Sequence, residues 1–219
     1  MKVALLLRGI SYFENYTTSL GLTYTVDFRK NVESLKQNVI NRYDDVDIYI
    51  STNHNKYDSI LREQFKPIDI YYFDKQTSTE EDNVIKGIEL IQQNNKQYEL
   101  IVISRFDINF SKPIDSFNID CNKVNFIFKE GSKYLWEKSN RTGNVIWILS
   151  FELLKEFKES IENCIVRKIN NHPNIHDHYV THQFCYDLYN KLGSEKINFM
   201  FDIYQCSDKP NHIYEIVRQ

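Results

Sequence analysis

Through the first half of the chain, short apolar runs rich in β-branched and aromatic residues alternate with stretches of helical periodicity. Lys2 to Leu7, Val46 to Thr52, Ile68 to Phe73 and Leu100 to Ser104 read as strands bounded by polar residues. After Asp27, a residue type suited to an N-cap, Phe28, Val32, Leu35 and Val39 recur at helical spacing, and a shorter helix is predicted from Tyr57 to Phe65. Ser78 and Glu81 form a capping-box pattern ahead of Val84, Ile85, Ile88 and Ile91, which make one apolar face. The order is βαβαβαβ. It predicts an α/β fold, a mixed, mostly parallel central sheet with helices on both faces, because parallel neighbours need crossovers. In such sheets ligands bind at the carboxyl ends of the strands, here after Leu7, Ile50, Phe73 and Ile103.

The second half has a different rhythm. Lys123 to Phe128 and Val145 to Leu149 read as strands separated by a loop over residues 129–143. Helices are predicted from Phe151 to Ile165 and from His178 to Leu192, the latter with Val180, Phe184, Leu188 and Leu192 every four residues. Ile197 to Tyr204 and His212 to Val217 close the chain as strands. With no internal repeat and no Pro/Gly-rich linker, residues 1–219 read as one domain in which a break near residue 112 separates two subregions.

Composition narrows the function classes. With 219 residues, 42% of them hydrophobic, the chain has enough apolar surface for a substantial core. Its 27 Lys+Arg against 30 Asp+Glu leave a net charge of −3, which argues against nucleic acid as a partner. The four cysteines, Cys121, Cys164, Cys185 and Cys206, contain no CxxC pair, so reduced thiols are expected rather than a disulfide framework or zinc ribbon. No apolar run has the length of a membrane span, and a cytoplasmic protein is expected, in a host cytoplasm if the chain is viral.

The stretch from Val102 to Phe110 carries chemistry where a core strand would carry only apolar residues. By alternation Arg105, Asp107 and Asn109 share one face and Phe106, Ile108 and Phe110 the other. A carboxylate and an amide oxygen two residues apart suit a hard cation such as Mg²⁺ or Mn²⁺, and Arg105 suits a phosphate or the Asp107 carboxylate. The same residues also fit an edge strand with one solvated face, or an ion pair that only positions a loop. The segments Ala4-Leu-Leu-Leu-Arg-Gly9, Asp27-Phe-Arg-Lys30, Asp45-Val-Asp-Ile-Tyr-Ile-Ser-Thr52 and Ile103-Ser-Arg-Phe-Asp-Ile-Asn-Phe110 together resemble the GT-A glycosyltransferases, particularly small viral and bacterial members. The resemblance covers residues 1–115 well and the rest by general layout. It implies that residues 1–115 bind a nucleoside-diphosphate sugar such as a UDP- or GDP-sugar and that 116–219 face a glycan acceptor. It also implies that Asp107 and Asn109 stand where an Asp-x-Asp motif holds Mn²⁺ or Mg²⁺ on the diphosphate. Asn109 departs from that motif, and a neutral amide is the weaker ligand.

Other residues take expected places on the same rim. Arg8 and Gly9 follow the first strand, where a glycine turn permits close approach to a ligand and an arginine suits a phosphate; neither a dinucleotide fingerprint nor a P-loop is present. Ser51 and Asp74 follow the second and third strands, and Lys86 lies on the helix before the Arg105 strand. Tyr134 and Trp136, in the loop of the second half, offer an aromatic platform for a sugar ring. Four histidines cluster at His172, His176, His178 and His182. The resemblance makes His178 or His176 a metal partner of Asp107, and Asp177 or Glu137 a base toward the acceptor hydroxyl. Two other readings stay open: a metal-dependent hydrolase built on the His172–His182 cluster, and a catalytically silent GT-A-like binding protein, for which Asn109 argues.

Overall fold

The computed structural model of the protein describes residues 1–17, 23–74, 78–170, 180–207 and 212–217. In chain order the strands are β1 (Lys2–Arg8), β2 (Tyr12–Thr17), β3 (Thr23–Asp27), β4 (Asp45–Asn53), β5 (Asp69–Phe73), β6 (Leu100–Arg105), β7 (Ile108–Phe110), β8 (Val124–Phe126), β9 (Lys129–Glu130), β10 (Ile146–Ser150), β11 (Ile197–Phe199), β12 (Tyr204–Gln205) and β13 (Tyr214–Ile216). The helices are α1 (Val32–Asn38), α2 (Asp58–Phe65), α3 (Glu80–Gln93), α4 (Lys133–Ser139), α5 (Leu154–Ile169), α6 (Val180–Gln183) and α7 (Cys185–Leu192). Seven strands form the central, mostly parallel sheet in the order β11-β8-β10-β6-β1-β4-β5. Two compact units are distinguishable, Met1–Lys96 with Ile103–Ser116 and Pro210–Gln219, and Gln97–Val102 with Phe117–Lys209.

In the first unit β1 runs parallel to β4 from Lys2↔Asp45 to Arg8↔Ser51, and β4 runs parallel to β5. Val3 to Leu7 are all buried, the continuous apolar run of a strand covered on both faces. The helix α3 packs on β1 so tightly that a Cβ added to Gly87 would stand 2.3 Å from Leu6 Cδ1. Its cap lies one residue from the expected place. Thr79 Oγ1 accepts the Asp82 N–H at 3.1 Å and the Asp82 carboxylate accepts the Thr79 N–H at 3.1 Å, while the Ser78 hydroxyl donates to Asn53 Oδ1. Two overlapping capping patterns exist in the sequence, and the tertiary contact to Asn53 selects between them. Asp27 does act as a cap, its carboxylate accepting the Arg29 N–H at 3.1 Å, but of a short 3₁₀ turn that precedes α1. The antiparallel hairpin of β2 and β3 is absent from the sequence reading, because its residues are only partly buried and show no clean alternation.

In the second unit β8 pairs antiparallel with β10 and parallel with β11. Asn125 is buried at the centre of this trio with its amide fully used. Its Nδ2 donates to the carbonyls of Asp120 (2.9 Å), Lys123 (3.2 Å) and Ile148 (2.9 Å), and its Oδ1 accepts the Asp120 N–H and the Asn198 amide, each at 2.8 Å. Trp147, Phe157 and Phe184 meet edge to face with centroids 5.0–5.5 Å apart, tying β10 to α5 and to the turn before α7. The segment expected as a loop over 129–143 contains β9 and α4, and the strand expected from Ile197 to Tyr204 is divided into β11 and β12.

Two outcomes follow from this packing. Gly87→Ala forces a methyl into Leu6, and overpacking of about 1–3 kcal/mol exceeds the roughly 1 kcal/mol that alanine adds to helix propensity; a thermal melt should show a midpoint lower by a few degrees. Asn125→Asp removes three donated bonds and sets a carboxylate against carbonyl oxygens. Chemical denaturation should register a loss of about 3 kcal/mol or more, with Asn198→Asp, at a partly exposed position, losing less.

Candidate active site

Arg8, Arg105 and Asp107 are buried, with 1%, 8% and 7% of their surface exposed. Arg8 ends β1 and Arg105 ends β6, so the strand ends themselves deliver both guanidinium groups. Arg105 grips Asp107 from both sides, Nε donating to Oδ1 at 2.8 Å and Nη2 to Oδ2 at 2.5 Å. Burial pushes the Arg8 guanidinium down to about 10; Glu80 opposes that fall most, Arg105 adds to it, and Asp107 and Glu81 oppose it further. Arg8 therefore remains a cation at neutral pH. It is a charge held in a low-dielectric place by its neighbours, and there it acts on an anion more strongly than a surface arginine would. The first turn of α3 carries Glu80, Glu81 and Asp82, which already complement the helix dipole, so that terminus is not where an anion would be read.

The Asp107 segment does not continue β6. The strand stops at Arg105, the chain bends at Phe106–Asp107, and β7 pairs antiparallel with β13 through Ile108↔Ile216, Asn109↔Glu215 and Phe110↔Tyr214. The Asp107 carbonyl accepts the Val217 N–H at 2.9 Å and extends that ladder by one residue. On the other side α1 and the residue before it hold the same segment. Asn31, fully buried, donates to the Phe106 carbonyl at 2.9 Å; Ser34 Oγ accepts the Phe110 N–H at 2.8 Å; Asn38 donates to the Phe110 carbonyl at 2.9 Å. None of Asn31, Ser34, Asn38 or Glu215 stands out in the sequence, because their partners lie 72 to more than 100 residues away.

Around the end of β1, Gly9 has φ +95°, a conformation that favours glycine, and a Cβ there would meet nothing within 4 Å. Its N–H donates to the Ser51 carbonyl at 3.1 Å. Ser51 is buried, and its Oγ has no hydrogen-bond partner among the described residues. Beyond the Gly9 turn, Thr52 and Asn55 both donate to Ser11 Oγ, at 2.9 and 3.0 Å. There Tyr12, Phe13, Glu14, His54, Asn55 and Lys56 line a depression of about 310 Å³. Tyr12 and Tyr57 meet edge to face at 4.6 Å, and the Arg29 guanidinium lies 3.7 Å from the Tyr57 ring centre.

The other expected residues are placed as follows. Asp74 is exposed in the bend after β5. Lys86 sits in the middle of α3, paired with Glu89 at 2.8 Å and lying 5.7 Å from the Tyr71 ring centre. Tyr134 is 69% exposed on α4, whereas Trp136 packs edge-on against Phe199 (5.0 Å) and Tyr189 (5.9 Å). Glu137 is exposed beside Lys133. His172, His176, Asp177 and His178 lie outside the described residues. His182 is described: its Nδ1–H donates to the Thr142 carbonyl at 2.8 Å, and the ring nitrogen is 3.9 Å from the Glu130 carboxylate.

Whether this rim suits a divalent cation turns on Asp107. Both of its carboxylate oxygens accept from the Arg105 guanidinium. Among the described residues no three His, Cys, Asp or Glu side chains are grouped to hold a metal ion. The described side chains around Asp107 therefore do not make a metal-holding group by themselves.

Neither a protein-family model nor a curated protein sequence matches the chain. Solved structures do. The glycosyltransferase GlyE of Streptococcus pneumoniae TIGR4 matches at 11% identity and a TM-score of 0.50, over 90% of this chain and 45% of the GlyE chain. The nucleoside-diphosphate-sugar pyrophosphorylase from Vibrio cholerae RC9 matches at 14% identity and a TM-score of 0.51, over 92% of each chain. The present chain thus spans less than half the length of GlyE. At such identities the likeness is one of architecture, and together with the seven-stranded sheet it establishes that the chain has a GT-A-like fold.

Proposed function

We propose that the protein is a glycosyltransferase that moves a sugar from a nucleoside-diphosphate sugar, such as a UDP- or GDP-sugar, to a glycan acceptor. The observation that carries this reading is the burial of Arg8, Arg105 and Asp107 together at the carboxyl ends of β1 and β6, where α/β sheets bind their ligands. Arg8 supplies a fixed positive charge to the diphosphate. Arg105 aligns the Asp107 carboxylate and adds a second charge. Because both guanidiniums are already held in place, little reorganisation is needed as negative charge develops on the leaving group.

The nucleoside lies over the Gly9 turn, where the missing side chain leaves open space, with Ser51 a sequence candidate whose side chain is buried beneath that turn. The neighbouring depression offers the aromatic edges of Tyr12 and Phe13 and the Asn55 amide. A divalent Mn²⁺ or Mg²⁺ on the diphosphate would stabilise the departing charge as a Lewis acid. Asp107 and Asn109 are its proposed ligands, with His176 and His178 as sequence candidates beside them. On the acceptor side the exposed Tyr134 ring suits stacking on a sugar, whereas Trp136 is committed to Phe199 and Tyr189. Asp177 and Glu137 are the proposed bases.

Thermal shift with a panel of UDP-, GDP- and dTDP-sugars and Mn²⁺ tests the reading. A ligand at about 100 times its Kd adds ~2.7 kcal/mol, a rise of roughly 5–10 °C for a chain of this size. No rise with any member of the panel would overturn it. In Arg8→Met the rise should be lost while the ligand-free protein stays folded, since a buried, desolvated cation is exchanged for an apolar chain of similar length.

A further inference from the structure

The depression beyond the Gly9 turn holds a flat ring and an open carboxylate oxygen, neither of which the transfer step itself uses. His54 lies flat on Tyr72, with ring centroids 4.1 Å apart and planes 8° from parallel, and its Nδ1–H donates to Asp58 Oδ2 at 2.8 Å. Asp58 is fixed in turn by the Asn55 N–H, which donates to its other oxygen at 3.1 Å. The imidazole is thus held in one plane by a stacked ring on one face and a hydrogen bond at its edge, while 58% of the side chain stays exposed in the depression it lines. A flat, preoriented ring of this kind suits stacking by a base.

Glu14, on β2, lines the same depression. The Tyr12 hydroxyl and the Lys56 ammonium both donate to its Oε1, the ammonium at 2.6 Å, and Oε2 has no partner among the described residues. Lys56 first and then Tyr12, through those hydrogen bonds, hold the carboxyl below the usual carboxylate range, so at neutral pH it is an acceptor only. The Lys56 ammonium carries three donors, of which Glu14 Oε1 takes one.

We propose that this depression selects a guanine base, with His54 as the stacking platform and the Glu14 carboxylate as the acceptor of N1–H and N2–H, so that the donor substrate is a GDP-sugar. The inference deepens the reading given under Proposed function and rests on it. Guanine sets two donors, N1–H and N2–H, side by side next to the O6 acceptor. The two donors match the carboxylate, in charge-assisted hydrogen bonds, and O6 matches the adjacent ammonium. Uracil and thymine instead place one N–H between two carbonyl oxygens, and a carboxylate that takes the N–H then faces one of those oxygens. Adenine and cytosine place an unprotonated ring nitrogen beside the amino group, which also opposes acceptor to acceptor. A site built to accept hydrogen bonds rejects a base that cannot donate them more strongly than an apolar pocket would.

Calorimetric titration of the whole chain with GDP, inosine diphosphate, UDP and dTDP, with Mg²⁺ present, reads the selection without requiring turnover. GDP should bind about tenfold or more tighter than UDP or dTDP, because each lost hydrogen bond to a charged group weakens binding by that order. Inosine diphosphate, which lacks only the 2-amino group, should fall between them. Glu14→Gln should bring GDP to within about twofold of UDP, and His54→Ala should weaken all four nucleotides by about tenfold, the order of a lost base–aromatic stack. Both side chains are exposed, so both variants should melt with the parent protein. UDP or dTDP bound as tightly as GDP, or unchanged GDP affinity in Glu14→Gln, would overturn the guanine assignment and leave the transferase reading standing. Unchanged affinities in His54→Ala would overturn the platform. Binding of none of the four nucleotides would overturn both the guanine assignment and the transferase reading.

Discussion

Arg105 holds both oxygens of Asp107 where β6 gives out, and the arrangement of the surrounding polypeptide follows from the need to keep that pair in place. Two ions with less than a tenth of their surface exposed have surrendered most of their hydration. Their mutual attraction compensates only while the fork geometry is kept, because removing either partner strands a buried charge at about 3–5 kcal/mol. Arg8 makes the demand stricter. A second buried guanidinium, felt by Arg105 as a like charge, leaves the three-residue group with a net positive charge that Glu80 and Glu81 offset from α3.

Precision at Asp107 is supplied by distant parts of the chain. From one side Asn31, Ser34 and Asn38 hold the backbone of Phe106 and Phe110 through side-chain hydrogen bonds. From the other side β13 pairs with β7 and reaches the Asp107 carbonyl itself. Neither brace is a regular element of the central sheet. Both fix a short bent segment whose own three-residue strand would not be stable alone. A polar side chain that satisfies a backbone carbonyl inside the protein does so in only one geometry, which is why amides rather than apolar residues are found here.

Much of the scaffold is legible without coordinates. The four apolar runs of the first half correspond to β1, β4, β5 and β6, and the helical periods between them to α1, α2 and α3. Burial on both faces writes the long apolar runs of β1 and β6, and apolar residues recurring at helical spacing mark α1 and α3. The elements that escape are the ones whose sequence shows neither a clean alternation nor an apolar face at helical spacing. The hairpin of β2 and β3 is half-exposed, and α4 has seven residues, most of them polar or aromatic. The capping box shows a subtler limit, since Ser78 and Thr79 both head a suitable pattern and only Asn53 distinguishes them.

The candidate site divides along the same line. Strand periodicity, the charged end of a buried run and the rule that ligands sit at carboxyl ends are local or topological, so sequence alone determined that Arg8, Gly9, Arg105 and Asp107 are the residues to watch. Sequence also determined the class of fold. It could not determine that Arg105 closes on Asp107, that Asn31 holds the intervening carbonyl, or that Glu215 stands opposite Asn109. Those relations depend on the bend after β6 and on the register of β7 with β13, contacts between residues up to more than a hundred positions apart. A one-residue slip in that register would turn Glu215 to the other face of the ribbon. Only the folded chain sets it.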